Sequence, residues 1–411
     1  MPRRPSPCAA GEPVRRPGSD HPGGSGFKLC GMIPCQRHLF DIPEDVAYLN
    51  CAYMSPLTRS ALAAGAEGLG RKSHPWRVAT SDFFDGAEEF RALAAGFFHC
   101  RPGDVAIVPS ASYGIQAAAD NVPIGRGQSV IVLDEQFPSN LYPWRRVAAD
   151  RGARVVAVAW PADHDWTSAV LAHIGDDTAV VAVPNVQWTS GGLLDLGRIG
   201  DACRRVGAAL VLDLTQSLGV LPFDVARVQP DFAVAAGYKW MMGPYSTGML
   251  YVAPRWQDVG RPLEENWIQR ENARMFSSLT RYTDGYEPGA RRFDMGERSN
   301  FALLPAAIRA MEQLLAWTVE DVSATLGAVN RGLVARAADL GFSAPPEHLR
   351  APHYLCLRRD GEPPAGLVEA LAIERVFVSV RGASVRVTPH VYNSEADIER
   401  LIAVLRDVLR G

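Results

Sequence analysis

The stretch AALVLDLTQSLGVLPFDVARVQPDFAVAAGYKWMMG, residues 208–243, decides the fold. It holds two short apolar runs, residues 208–212 and 232–236. Runs of this length that are unbroken rather than alternating read as strands covered on both faces, as in a parallel sheet. Each ends in polar residues: Asp213-Leu214-Thr215-Gln216 after the first, Gly237-Tyr238-Lys239 after the second. Open α/β sheets bind ligands beyond the carboxyl ends of their strands. Asp213 and Lys239 are therefore expected to converge on one site.

Outward from this stretch, similar runs recur: DVAIVP, SVIVLD, ARVVAVA and TAVVAVP before it, and GMLYVA after it. Helical patterns at residues 113–120, 142–150 and 196–206 separate the earlier ones, which makes βαβ units with helices on both faces. GMLYVA follows Lys239 too closely for an intervening helix, so that strand is expected to run antiparallel. The expected fold class is α/β, with a mostly parallel seven-stranded sheet in a large domain over residues 56–295. An entry segment, residues 32–55, contains YLNCAYMSP, and a helix is expected over residues 84–98. Residues 296–411 read as a smaller C-terminal α+β domain. They carry the helical LLPAAIRAMEQLLAW, the strands HYLCLR, VFVSVR and SVRVTP, a turn at Gly382-Ala383, and a last helix opened by the capping pattern Ser394-x-x-Asp397. Residues 1–31 are rich in Pro, Gly, Ser and Arg and are expected to be disordered, with Met32 the expected native start.

The hydrophobic fraction of 47% supplies a sizeable core, and 42 basic against 45 acidic residues give a net charge of -3. That balance offers no electrostatic case for nucleic acid or a membrane surface, so a small-molecule ligand is expected. Seven cysteines without a C-x-x-C pair argue against a disulfide framework or a zinc site and for a reducing compartment. No apolar run approaches the roughly 18 residues of a membrane span. A soluble, cytoplasmic protein is expected.

Asp213 and Lys239 have a joint chemical meaning. A lysine amine can hold an aldehyde as a Schiff base, and a carboxylate can keep a pyridine nitrogen protonated, which are the two needs of pyridoxal phosphate. Taken alone, the pair could equally be a turn-capping Asp and a surface Lys. After the first strand, Pro109-Ser110-Ala111-Ser112-Tyr113-Gly114-Ile115 leads small residues into a helix, a ready phosphate site, although Ser112 could be an ordinary N-cap. Neither G-x-G-x-x-G nor G-x-x-x-x-G-K-[ST] is present, which argues against nicotinamide and nucleoside triphosphate ligands. Tyr53, in the entry loop, is a candidate for lining the site or for packing.

Taken together and in order, these motifs resemble the class V aminotransferase family of fold-type I pyridoxal-phosphate enzymes over residues 44–410. That group includes cysteine desulfurases, selenocysteine lyases, kynureninase-like and isopenicillin N epimerase-like proteins. The resemblance implies that Lys239 carries the cofactor, that Asp213 pairs with its ring nitrogen, and that Gln216 contacts its phenolic oxygen or the Schiff-base region. It further implies that Ala111 and Ser112 form the phosphate turn, with Tyr238 as a second phosphate contact. Where the family often has Ser-Gly-His-Lys, this chain has Ala236-Gly237-Tyr238-Lys239, one hydroxyl fewer. Phe137 in DEQFPSNLYPW stands where desulfurases carry a ring-stacking histidine; phenylalanine can stack but cannot move a proton. Asn185 in VPNVQWTSGG matches the asparagine near the O3' atom. Arg386 in SVRVTPHVYN matches the arginine that grips the substrate carboxylate. Ser299 and Asn300 in FDMGERSN resemble a loop that reaches the partner's cofactor, which implies a homodimer with shared active sites.

The activity implied is that of an enzyme acting at the α-carbon of an amino acid. A class V aminotransferase is the expectation, with a β-eliminating lyase or an epimerase as alternatives and a catalytically silent cofactor-binding protein as the non-enzyme alternative. No cysteine lies between Gly361 and Arg386, and Cys356 in HYLCLR reads as packing. That disfavours a persulfide route and leaves direct elimination open.

Overall fold

The computed structural model describes residues 31–361, 366–381 and 384–410. The expected disordered tail, but for Gly31, and the Gly382-Ala383 turn lie outside the described residues. The chain enters through a two-residue strand, β1 (Ala47–Tyr48), and two helices, α1 (Arg59–Gly70) and α2 (Asp85–Phe98). The alternating region follows: β2 (Val105–Val108), α3 (Ala111–Asn121), β3 (Ser129–Leu133), α4 (Tyr142–Arg151), β4 (Arg154–Val158), α5 (Trp166–Leu171), β5 (Thr178–Pro184), α6 (Leu196–Val206), β6 (Ala209–Asp213), α7 (Val225–Val228), β7 (Phe232–Ala236) and β8 (Gly248–Val252). All seven expected strands form one sheet in the order β2-β8-β7-β6-β5-β3-β4. Only β8 is reversed, antiparallel to both β7 and β2, as the short link after Lys239 requires.

The unbroken apolar runs have a simple cause. Alternate residues of each strand enter opposite cores: Leu210, Leu212, Ala233 and Ala235 face the layer of α2 and α6, while Ala209, Val211, Phe232 and Val234 face α3 and α4. Fully burying each such Val, Leu or Phe stabilises the fold by roughly 1.5–3 kcal/mol. Edge strand β4 lacks this double cover and is partly exposed. Helix α3 begins two residues before the expected start, because Ser110 caps it by accepting the amide of Tyr113 at 3.2 Å. A β-carbon on Gly114 would lie 2.6 Å from Val234, so glycine there lets α3 seat directly on β7. Helix α5 was not foreseen; its six residues are too few to show a period.

After β8 come α8 (Pro254–Gln257), a run of 3-10 turns, α9 (Leu303–Trp317), α10 (Val319–Ala338), β9 (Leu355–Arg358), α11 (Leu367–Ile373), β10 (Val376–Phe377), β11 (Ser379–Arg381), β12 (Ser384–Val387) and α12 (Glu395–Val408). Strands β11, β12 and β9 form a small antiparallel sheet in that order. The entry segment joins this C-terminal layer: β1 pairs in parallel with β10, and Thr388 exchanges backbone bonds with Leu49 and Cys51 at 2.8 and 3.0 Å. Ser394 and Asp397 complete the expected capping box of α12. Among the described residues, no helix is long and apolar enough to cross a membrane.

The FDMGERSN segment is fixed by buried charge. Asp294, fully buried, bonds Arg91 of α2, Arg298 at 2.5 Å, and the amide of Ile107 in β2 at 2.8 Å. Arg298 also meets Glu287 at 3.0 Å. Removing Asp294 takes the shared carboxylate from two fully buried cations, leaving each with one flanking glutamate. We expect Asp294→Ala to destabilise the protein by about 3–5 kcal/mol, read as a lower denaturant midpoint, with Arg309→Ala on the exposed face of α9 as the near-neutral control.

Candidate active site

A cavity of about 370 Å³ opens at the carboxyl ends of β2, β5, β6 and β7, in the size range of small-molecule sites. It brings together Ala111, Ser112, Phe137, Asp213, Gln216, Tyr238 and Lys239, all singled out from the sequence. Lys239 is placed by a tight β7–β8 link. Gly237 donates to Thr247 O at 2.7 Å, and a β-carbon on Gly237 would fall 2.4 Å from the Thr247 hydroxyl. The link therefore closes only with glycine at 237, and it carries Lys239 inward to 7% exposure.

The chain has only three lysines, at 28, 72 and 239, against 42 basic residues in all. Lys72 is exposed, whereas Lys239 is buried beneath Phe137, with Nζ 5.5 Å from its ring centre. Burial lowers the Lys239 pKa to about 8; Asp213 draws it up, and Arg386 pushes it further down. Asp213 sits at the last position of β6, its carboxyl raised by burial and held back by hydrogen bonds from Thr215 and by the charge of Lys239. Thr215 also ties the strand ends together, its hydroxyl accepting the amide of Ala236 at 3.2 Å. Gln216 is held at both ends of its amide, donating to Ala52 O at 3.1 Å and accepting from Trp240 Nε1 at 2.8 Å.

At the other end of the cavity, α3 presents its amino terminus. Ser112 Oγ pairs with Ser139 Oγ at 2.7 Å, and Tyr238 packs on Tyr245 with ring centres 4.6 Å apart. The sequence alone did not flag Ser139, Tyr245 or Ser246 and gave Ser110 only as part of the phosphate stretch, though all four line the cavity. Ser110 had a legible signal, a hydroxyl directly after an apolar run; the others arrive from separate loops. A buried carboxylate, a buried amine, an aromatic face and an anion-binding helix terminus in one cavity fit the parts of pyridoxal phosphate. Asp213 would meet the ring nitrogen, Lys239 the aldehyde carbon and the start of α3 the phosphate.

Five expected residues are not brought into this cavity. Asn185 is turned away: the pleat aims its neighbours Pro184 and Val186 inward, so its side chain points to the opposite face and donates to Leu194 O at 3.0 Å. Tyr53 is 58% exposed on the turn after β1 and does not line the cavity. Ser299 bonds Phe83 O, and Asn300 Oδ1 accepts the amides of Ala302 and Leu303, both in a separate surface depression beside α1. Arg386 lies just behind the cavity wall, 3% exposed, its charge felt at Lys239. Trp188, in the same VPNVQWTSGG segment as Asn185, lines the cavity, meets Phe137 edge-on with ring centres 5.4 Å apart, and accepts Arg386 Nη1 on its carbonyl at 3.3 Å. Cys51 and Cys356 are both buried, and burial raises both thiols.

An amine with a pKa of about 8 is roughly one-tenth neutral at pH 7, where an ordinary lysine is almost wholly charged. Amine-selective labelling of cofactor-free protein followed by peptide mass spectrometry is thus expected to show Lys239 reactivity, corrected for accessibility, rising with a midpoint near pH 8. Exposed Lys72 is expected to go on rising well above that pH; parallel profiles for the two would contradict the assignment.

The model of the family described as aminotransferase class-V matches residues 72–401. An uncharacterized aminotransferase of Bacillus subtilis is 25% identical over 85% of this chain and 90% of its own length. An isopenicillin N epimerase of Amycolatopsis lactamdurans is 25% identical over 77% and 84%, and a kynureninase of Deinococcus radiodurans 29% identical over 64% of each. Among solved structures, a cysteine desulfurase from Thermococcus onnurineus superposes with a TM-score of 0.78 at 20% identity, covering 93% of this chain and all of that one, which shows a shared fold. With the lysine and carboxylate at the strand ends, these matches make the chain a member of the class V aminotransferase family of fold-type I pyridoxal-phosphate enzymes.

Proposed function

We propose that this chain is a pyridoxal-phosphate-dependent lyase that expels a group from the β-carbon of an α-amino acid. The observation that carries the amino-acid part is Arg386. Its guanidinium is buried, has no carboxylate partner among the described residues, and leaves Nε without a hydrogen-bond acceptor. A buried cation without a counter-ion is costly, and the α-carboxylate of a substrate would supply the missing partner in bidentate form. An α-carbon held between Arg386 and Lys239 lies in reach of the lysine amine, the one strong base lining the cavity.

When bound, the cofactor supplies an electron sink that weakens the bonds at the α-carbon. Asp213 would hold a protonated ring nitrogen, since a buried carboxylate raised in pKa gains most from a nearby cation. Lys239 takes the α-proton, and its lowered pKa leaves enough neutral amine near pH 7 to do so. Phe137 and Trp188 wall off water and move no protons. The latter fact weighs against epimerisation by two bases, because among the described residues the titratable groups lining the cavity besides Asp213 and Lys239 are Tyr238 and Tyr245. The similarity to a kynureninase supports the lyase reading. Burial of Cys51 and Cys356 supports direct elimination without a cysteine carrier. Transamination is the second reading, favoured by the similarity to the Bacillus subtilis protein. The proposal includes a homodimer, in which Ser299 and Asn300, distant from their own cavity, would serve the partner's.

The test is an amino-acid panel on holoenzyme. Release of ammonia and a keto acid without a co-substrate is the expected result. Conversion of the bound cofactor to its amine form would mean transamination instead, and solvent deuterium at the α-carbon alone would mean epimerisation. Lys239→Ala is expected to lose the visible absorption band of the lysine-bound cofactor and at least a thousandfold in turnover. Wild-type protein that stays colourless with added pyridoxal phosphate would sink the proposal.

A further inference from the structure

Arg386 on β12 lies opposite Ser379 on β11 in the antiparallel register. Its Nη2 donates to Ser379 Oγ at 3.0 Å, and Ser379 Oγ donates in turn to Asn50 Oδ1 at 2.9 Å. All three side chains are at least nine-tenths buried. Asn50 comes from the entry segment, held against β12 by its own backbone bridge to Thr388. The opposite side of the guanidinium is held by Trp188 O, which also accepts the Tyr354 hydroxyl. Two edges of the planar group are thus clamped by neutral acceptors, and the partnerless Nε marks the edge left for an anion.

The order of donors fixes the direction of the chain. Arginine can only donate, so Ser379 must accept from it; the serine hydroxyl then has its one proton to give to the Asn50 carbonyl. Asn50 thereby orients the Ser379 lone pair toward Arg386. A carboxylate in the place of Asn50 would neutralise the arginine and compete with substrate, whereas a neutral amide aims it without quenching its charge.

We infer that Asn50 and Ser379 are positioning residues that aim Arg386 at the carboxylate of the amino-acid substrate, Asn50 acting through Ser379. This rests on the amino-acid reading above, and it concerns binding of the carboxylate rather than the later bond cleavage.

The test uses holoenzyme titrated with glycine, which has no side chain, and with methylamine, which lacks the carboxylate, following the visible band of the bound cofactor. Ser379→Ala is expected to weaken glycine binding roughly tenfold, the scale of a lost hydrogen bond to a charged group, while methylamine binding and the resting spectrum stay unchanged. With a turned-over substrate, KM should rise while kcat moves less than about twofold. Ser379→Thr, which keeps the hydroxyl, should restore glycine affinity. Asn50→Ala should weaken glycine binding on its own but add nothing in the Ser379→Ala background. Equal losses for glycine and methylamine, or additive losses from the two substitutions, would overturn the inference. A wild-type spectrum that responds to methylamine but no better to glycine would instead fail the amino-acid reading itself.

Discussion

The structure depends on keeping opposite charges buried and close without letting them collapse together. Lys239 and Asp213 end neighbouring strands, each sunk among apolar residues, and no salt bridge joins them among the described residues. Each carries the mark of burial in its titration, the amine lowered to about 8 and the carboxyl raised. A direct ion pair would relieve both but would close the cavity. Rigid neighbours hold them apart: Thr215 bonded to Asp213 and to Ala236, and the glycine-tight link between β7 and β8. What remains is a slot with a base at one wall and an anion at its floor, which suits a cationic pyridine ring. Strand-end geometry of this kind stores the cost of the site in a scaffold whose two cores are large enough to bear it.

Arg386 shows the same principle just behind the cavity wall. It is buried without a counter-ion, its edges occupied by a serine hydroxyl and a backbone carbonyl, so its charge stays available. The contrast with Arg91 and Arg298 is instructive. Those two guanidiniums share Asp294, with Glu88 and Glu287 alongside, and their charge is spent within the protein, tying the FDMGERSN segment to α2 and β2. Arg91 and Arg298, with carboxylates, build the fold here; Arg386 has no carboxylate partner among the described residues, and the proposed carboxylate grip rests on that.

The fold was legible because its signals are local. An apolar run on both faces of a strand needs no partner to be recognised, and all seven strands, with the reversal of β8, follow from such runs and the length of the links between them. The helices α6 and α9 match the expected bounds because Asp195 caps one and a continuous apolar pattern spans the other. Lys239 and Asp213 were legible for the same reason, each being the charged end of a legible strand. Asn185 misled because its match to the family motif carries no information about pleat phase, and a shift of one residue reverses the face a side chain takes.

The sequence by itself therefore determined the sheet, the family and the meeting of Asp213 and Lys239 at one site, with an amino acid as the expected class of substrate, since each rests on residues close together or on motifs in a set order. Only the tertiary structure decided which polar groups meet across the chain. Asn50 and Ser379 stand 329 positions apart and touch at 2.9 Å; Trp188 reaches Arg386 over 198. Nothing in local composition foretells such contacts, because they are set by where β1 docks on β10 and how β11 pairs with β12. Chemistry that depends on the aim of one guanidinium is written in that docking.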